Sequence, residues 1–173
     1  KECGLMKIDN NADLKKLTTF KMGGTVSKLY TPETEDELIN LIQDKHPQYF
    51  IGGGSNIIIN TRVFDSVVNL REFSSTIEDK GNGTYIVGAS VRLQKLIKTI
   101  NADGYGGIEY LYSVPGLVGG AVVMNAGRGK SFNKCISDYI ESVKVFCMGQ
   151  VYWMEKADCK FSYRMSNFQH SDI

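Results

Sequence analysis

Val114-Pro115-Gly116-Leu117-Val118-Gly119-Gly120-Ala121-Val122-Val123-Met124-Asn125-Ala126-Gly127 is the stretch on which the reading of this chain turns. Pro115 fixes φ and removes a donor. Gly116, Gly119 and Gly120 leave almost no side chain, which suits the close approach of a planar ligand or a neighbouring backbone. Val122-Val123-Met124 reads as a buried strand with Asn125-Ala126-Gly127 at its end. A second run, Ile51-Gly52-Gly53-Gly54-Ser55-Asn56, lies between residues 48–51 and 57–59, both of which read as strands. Consecutive peptide N–H groups in such a turn form an anion-binding concavity, and Ser55 and Asn56 add side-chain donors. Each run alone also fits a tight packed turn. Together they point to a nucleotide cofactor held through its phosphates. The spacing is not GxGxxG, a strand rather than a helix follows, and no Lys-Ser or Lys-Thr comes after. The Rossmann fingerprint and the Walker loop are therefore disfavoured.

Composition narrows the class. The 173 residues are 42% hydrophobic and 23% charged, as in a folded globular chain with one sizeable core or two small lobes sharing a site. The 20 basic and 19 acidic residues form no long block of either sign, so neither a nucleic-acid stripe nor a polybasic membrane patch is expected. No apolar run approaches the roughly 20 residues that span a bilayer, and the N-terminus, beginning at Lys1, lacks a signal-peptide pattern. Cys3, Cys135, Cys147 and Cys159 are widely spaced without a CxxC, which argues for free thiols in a reducing cytoplasm rather than zinc or disulfides. Of the two histidines, His46 sits in the polar turn Asp44-Lys45-His46-Pro47 and His170 near the end of the chain. No metal site is expected.

The pass along the chain alternates strands and helices about two centres, residues 1–72 and 73–173. Residues 28–31 read as a strand, and Thr34 with Glu37 fits a capping box. Leu38, Leu41 and Ile42 give one face of the helix that follows. Residues 67–70 close the first lobe. A hairpin is expected from residues 74–79 and 85–88 across Gly81-Asn82-Gly83. Ser90 is expected to cap a helix burying Leu93, Leu96, Ile97 and Ile100 and ending near Gly104. Residues 140–147 and 151–154 read as two further strands around Met148-Gly149-Gln150.

Four segments resemble the UDP-N-acetylenolpyruvoylglucosamine reductase family (UDP-N-acetylmuramate dehydrogenases). They are Thr18-Thr19-Phe20-Lys21-Met22-Gly23-Gly24, the glycine run at Gly52, the long segment from Gly107-Ile108-Glu109-Tyr110-Leu111 through Gly127, and Cys159-Lys160-Phe161-Ser162-Tyr163-Arg164-Met165-Ser166. The resemblance runs from about Leu17 to about Phe168. It implies an α+β fold, a two-lobed FAD-binding module of the vanillyl-alcohol-oxidase (PCMH) type without the C-terminal substrate domain. FAD is expected to bind noncovalently. Gly52, Gly53, Gly54, Ser55 and Asn56 would hold its pyrophosphate. Ser113, Val114, Pro115, Gly116, Gly119, Gly120, Asn125, Ala126 and Gly127 would line the isoalloxazine ring. In the family NADPH reduces the flavin, and hydride then passes to the enolpyruvyl ether of a UDP-sugar, so NADPH is the implied reductant. By motif position Arg164, with Tyr163 beside it, is the catalytic pair, because a guanidinium stays charged and offers a planar fork to a carboxylate.

The chain also departs from the family pattern. The proton-donating serine and the late glutamate of the longer family members have no counterpart, and Ser166 and Ser171 do not take their place. Ser113 stands where a glycine is usual, Leu117 where a small hydroxyl residue is usual, and Arg128-Gly129-Lys130 where Ala-Tyr-Gly is common. The expectations are therefore a fragment or short form of the reductase, a short FAD-dependent oxidoreductase with another substrate, or a non-catalytic nucleotide-binding module. A UDP-sugar would be a partner only if a substrate domain or a partner chain supplies the rest of the site. Neither nucleic acid nor a membrane is an expected partner, and a cytoplasmic location follows from the thiols and the role.

Overall fold

In the computed structural model, residues 6–47, 49–60, 63–128 and 134–169 are described. Cys3, Gln48, Gly129, Lys130, His170 and Ser171 lie outside them. The chain divides into two compact units, Lys1–Ser75 and Thr76–Ile173.

In the first unit, successive residues of the strands point to opposite faces of the sheet, and both faces are covered. Leu29 and Val67 pack in one cluster with Leu14, Val26 and Ile51, while the neighbouring Tyr30 and Val68 meet Leu41 in another. The strands are β1 (Lys7–Asp13), β2 (Thr25–Thr31), β3 (Tyr49–Ile51) and β4 (Val63–Asn69), in spatial order β1-β2-β4-β3. β1 runs antiparallel to β2, whereas β2, β4 and β3 are mutually parallel. Helix α1 (Glu35–Lys45) follows β2. The Thr34 hydroxyl accepts from the Glu37 amide at 3.2 Å, and the Glu37 carboxylate accepts from the Glu33 amide rather than from Thr34, a capping box displaced by one residue. Glu35, Asp36 and Glu37 place negative charge on the first turn. At the other end His46 closes the helix at φ 45°, donating its amide to Ile42.

One expected strand is absent. Residues 57–59 pair into no ladder. β3 and β4 pair directly, Tyr49 with Val67 and Ile51 with Asn69, so the sheet has no slot for another strand between them. Ile57 and Ile59 pack on the Leu14 cluster, and Ile58 is 70% exposed.

The second unit is built from β5 (Ile77–Gly81), β6 (Thr84–Val87), α2 (Leu93–Ala102), α3 (Val118–Val123), β7 (Gly127–Arg128), β8 (Lys134–Cys135), β9 (Ser142–Cys147) and β10 (Gln150–Glu155). Its strands form two-stranded ladders, β5 with β6, β7 with β8 and β9 with β10. Gly81, Asn82 and Gly83 all have positive φ in the first hairpin, and Met148 and Gly149 do so in the β9–β10 turn, the signature of a tight primed connection. Leu93, Leu96 and Ile97 of α2 bury against Leu111, Val118, Ala121 and Ile136. Val145, Met154 and Cys159 form a separate cluster beneath β9 and β10.

Two expectations fail here for tertiary reasons. Ser90 does not cap α2, which begins at Leu93 with Arg92 in the N-cap position. The preceding backbone is engaged elsewhere, since Ala89 and Val91 accept from the amides of Gly119 and Val118 at 2.8 Å each. The second correction concerns Val122-Val123-Met124, which is not a strand. Residues 118–123 are helical, with Ala121 donating to Leu117 and Met124 to Gly120. β-branched residues favour strands by no more than about 1 kcal/mol. Burial of Val118 and Ala121, at 9% and 7% exposure, decides the matter.

Candidate functional site

In the first unit the glycine run leaves the C-terminal end of β3, the end of parallel strands at which open α/β sheets place their ligands. It rests on the segment 14–24, which folds back on itself. The Thr18 hydroxyl donates to the Met22 carbonyl at 2.7 Å, Lys21 turns at φ 54°, and the Leu14 amide donates to Gly24 at 3.0 Å. Gly54 sits at φ 64° directly over this segment. A Cβ there would lie 1.9 Å from the Leu17 carbonyl oxygen. The Gly54 carbonyl accepts from Thr19 at 2.9 Å, and one guanidinium nitrogen of Arg71, Nη2, donates to both Leu17 (3.0 Å) and Gly53 (3.3 Å). Gly54 is therefore glycine because its own chain crosses it. Two consecutive carbonyls of the loop are held, that of Gly53 by Arg71 and that of Gly54 by Thr19 of the 14–24 segment.

In the second unit the other glycine stretch is held by α2 and the backbone before it. Gln94 Nε2 donates to Tyr112 (3.0 Å) and Val114 (2.9 Å), and the Leu93 amide donates to Gly116 at 3.2 Å. Gly119 packs on Ala89, whose Cβ would be 2.9 Å from any added Cβ. Gly120 is different: it is exposed, and nothing lies within 4 Å of the position a Cβ would take. Among these glycines Gly120 offers open space for an incoming group. The amides at the start of α3 offer none, since those of Val118 and Gly119 are already bonded. Leu117 occupies the N-cap of α3 without a cap bond and is only 8% exposed, so it serves packing. Ser113 and Pro115 are exposed.

The end of that stretch meets the last motif. Asn125 lies at φ 40°, a conformation Asn tolerates better than most residues. It is 3% exposed; its Nδ2 donates to Ser162 at 2.8 Å and its Oδ1 accepts from the Ser137 amide at 3.3 Å. Its amide thus serves the protein's own backbone at both ends. Ser162 and Met165 bond each other across a turn whose corners are Tyr163 and Arg164, the latter at φ 57°. The buried Ser166 hydroxyl donates to Val123 at 2.6 Å, and Arg164 Nη2 donates to Gly127 at 2.8 Å. Tyr163 is 84% exposed. The structure therefore brings Arg164 against Gly127 and fixes the turn by three tethers. Cys159 anchors the base of the motif, fully buried, its thiol pushed up by desolvation and then by the charge of Asp158. Tyr110, in the segment leading into the glycine stretch, carries a buried hydroxyl with no partner among the described residues. Burial is the main reason its pKa is raised.

Arg71, Gln94 and Thr18 were not singled out from the sequence as members of the site. Arg71 and Gln94 act on backbone distant in the chain, and no local pattern marks that. Among the described residues, no group of His, Cys, Asp or Glu is arranged to hold a metal, and no helix is long and apolar enough to cross a membrane.

Residues 26–153 match the FAD binding domain family, and the chain belongs to that family. It is similar to the UDP-N-acetylenolpyruvoylglucosamine reductase of Prochlorococcus marinus, 33% identical over 97% of this chain and 59% of that protein. The enzyme of the same name from Fusobacterium nucleatum is 32% identical over 95% of this chain and 58% of its own length. The crystal structure of the Thermus caldophilus reductase superposes with a TM-score of 0.72 at 31% identity, over 94% of this chain and 57% of that one. The chain thus spans a little over half the length of these relatives. Aclacinomycin oxidoreductase and a cholesterol oxidase, at 16% and 14% identity with TM-scores of 0.55 and 0.56, share the fold alone. The α+β FAD-binding fold that the motifs implied is the fold found.

The residues present fit a phosphate-bearing flavin on two counts. Across a trans peptide the N–H lies opposite the C=O, and the described residues include no cis peptide. Pinning the Gly53 and Gly54 carbonyls therefore turns the Gly54 and Ser55 amides to the other side of the loop, as an anion requires. Gly120 leaves open space where a flat ring could approach backbone.

Proposed function

We propose that this chain is the FAD-holding part of a reductase acting on the enolpyruvyl ether of a UDP-sugar, with NADPH as reductant. The observation that carries the reading is the glycine loop whose carbonyls are pinned back by Arg71 and Thr19. The similarity to reductases of that name supports the substrate class. The 52–56 loop takes the pyrophosphate through backbone amides, and the 113–127 segment takes the ring. FAD, when bound, supplies the two-electron chemistry. In this reading FAD binds noncovalently.

Within this reading, Arg164 presents a permanent positive charge to the substrate carboxylate. Its bond to Gly127 uses one of five guanidinium donors and sets the plane of the fork. Tyr163 projects beside it. The exposure of this pair suits contact with a ligand rather than a role in the core. A cytoplasmic setting agrees with the substrate.

The test is a titration of the purified chain with FAD, followed by visible absorption. One FAD per chain, with bands perturbed from free flavin, supports the cofactor assignment. NADPH oxidation dependent on a UDP-enolpyruvyl sugar then tests the reaction, and Arg164→Lys should lower turnover with FAD affinity unchanged. A chain that ignores FAD overturns the proposal.

A further inference from the structure

We propose that Arg71 is the positioning residue of the 52–56 loop: it holds the loop's amides in an anion-accepting arrangement without itself touching the ligand. The inference rests on the FAD reading above. Its starting point is how Arg71 is placed. β4 ends at Asn69, whose Oδ1 accepts from the Arg71 amide at 3.2 Å, and the Leu70 amide donates to Ile51 at 2.8 Å, so the backbone on either side is fixed beside the entrance to the loop. From there Nη2 reaches two carbonyls that are remote in sequence, Leu17 and Gly53. A guanidinium NH2 has two protons in a fixed plane, so one nitrogen can staple two chain segments at once.

The consequence follows from peptide geometry. With the Gly53 carbonyl held by Arg71 and the Gly54 carbonyl held by Thr19, the amides of Gly54 and Ser55 face the opposite side. Gly54, at φ 64°, has the left-handed conformation that recurs in anion-binding turns. Without Arg71 the Gly53 peptide is free to rotate, and its N–H side then competes between water and phosphate. Loss of a charge-assisted hydrogen bond that orders the loop should raise the FAD dissociation constant roughly tenfold.

Arg71→Met and Arg71→Lys in the full chain decide the matter, read by FAD titration, thermal melting and hydrogen exchange. In Arg71→Met we expect FAD affinity to fall about tenfold. Amide exchange should rise in peptides covering residues 14–24 and 49–60 and stay unchanged elsewhere. Arg71→Lys keeps the positive charge on a stem one bond shorter than Nη2 reaches, so it should restore exchange and affinity in part. Unchanged exchange in both peptides of Arg71→Met overturns the proposal, as does faster exchange with unaltered FAD affinity. If Arg71→Met loosens everywhere, the Lys variant decides: normal exchange with unrestored affinity means that Arg71 meets the ligand directly and the proposal is wrong. If the unaltered chain binds no FAD, the cofactor reading fails, and the exchange data alone still decide whether Arg71 organises the loop.

Discussion

Gly54→Ala is the sharpest perturbation the structure offers. The added methyl would sit 1.9 Å from the Leu17 carbonyl oxygen and 3.0 Å from its carbon, both backbone atoms with no side-chain freedom to yield. The 14–24 segment would have to retreat by about an ångström before the contact became tolerable. Retreat lengthens the Thr19–Gly54 bond and the Arg71–Leu17 bond together. Alanine at φ 64° adds about 1–2 kcal/mol of backbone strain, and overpacking of this kind costs roughly 1–3 kcal/mol more. We expect a loss of about 3 kcal/mol confined to the first unit. For a unit of that size each kcal/mol moves the midpoint by about 4–8 °C, so its melting should fall by more than about 10 °C. Circular dichroism and calorimetry on the variant measure this directly, and FAD retention should vanish with it. A midpoint within about 2 °C of the unaltered chain would refute the reasoning, because it would mean that the close crossing of Leu17 over Gly54 does not exist.

Gly120→Ala should do the reverse for stability. No atom lies within 4 Å of the new methyl, and a helical Gly-to-Ala exchange gains about 0.8–1.0 kcal/mol, so the melting midpoint should rise by a few degrees. FAD affinity should nonetheless drop if the ring approaches that backbone; a lower midpoint would contradict the open site. Tyr85, whose hydroxyl donates to Asp103 at 2.9 Å, has its pKa raised from 10.0 to about 12, first by desolvation and then by the Asp103 bond and charge. The folded state thus keeps this proton more tightly than the unfolded chain, so the contribution is complete below pH 10 and is lost as pH climbs toward 12. Tyr85→Phe should flatten the fall in stability across that window, and an identical pH profile would exclude the contact. Tyr110→Phe removes a buried hydroxyl without a partner among the described residues, so stability should stay level or rise by about 1–3 kcal/mol in denaturant unfolding; a clear loss would reveal a partner for the hydroxyl.

Much of this protein was legible as a string of residues. Helix α1 was readable because Thr34, Glu37 and the apolar set Leu38, Leu41 and Ile42 are local signals, decided within a few residues of one another. Both hairpins were readable for the same reason, through Gly81-Asn82-Gly83 and Met148-Gly149. The family motifs, too, mark the two glycine stretches and Arg164 in the sequence itself. Sequence could not say what each glycine is for. Gly54 yields to Leu17 and Gly119 to Ala89, contacts made by chain far away, whereas Gly120 faces open space. The same holds for residues 118–124, where strand-favouring valines coil because Val91 and Ala89 take the first amides and the core takes Val118 and Ala121. It holds again for residues 57–59, which join no ladder while Ile57 and Ile59 pack on the Leu14 cluster. By itself the sequence determined what depends on neighbours within a turn or on motif identity: the local elements, the family and the candidate residues. Only tertiary structure decided which peptide groups face each other across long stretches of chain. Those pairings depend on distances that loop closure sets, and no short window of sequence contains them.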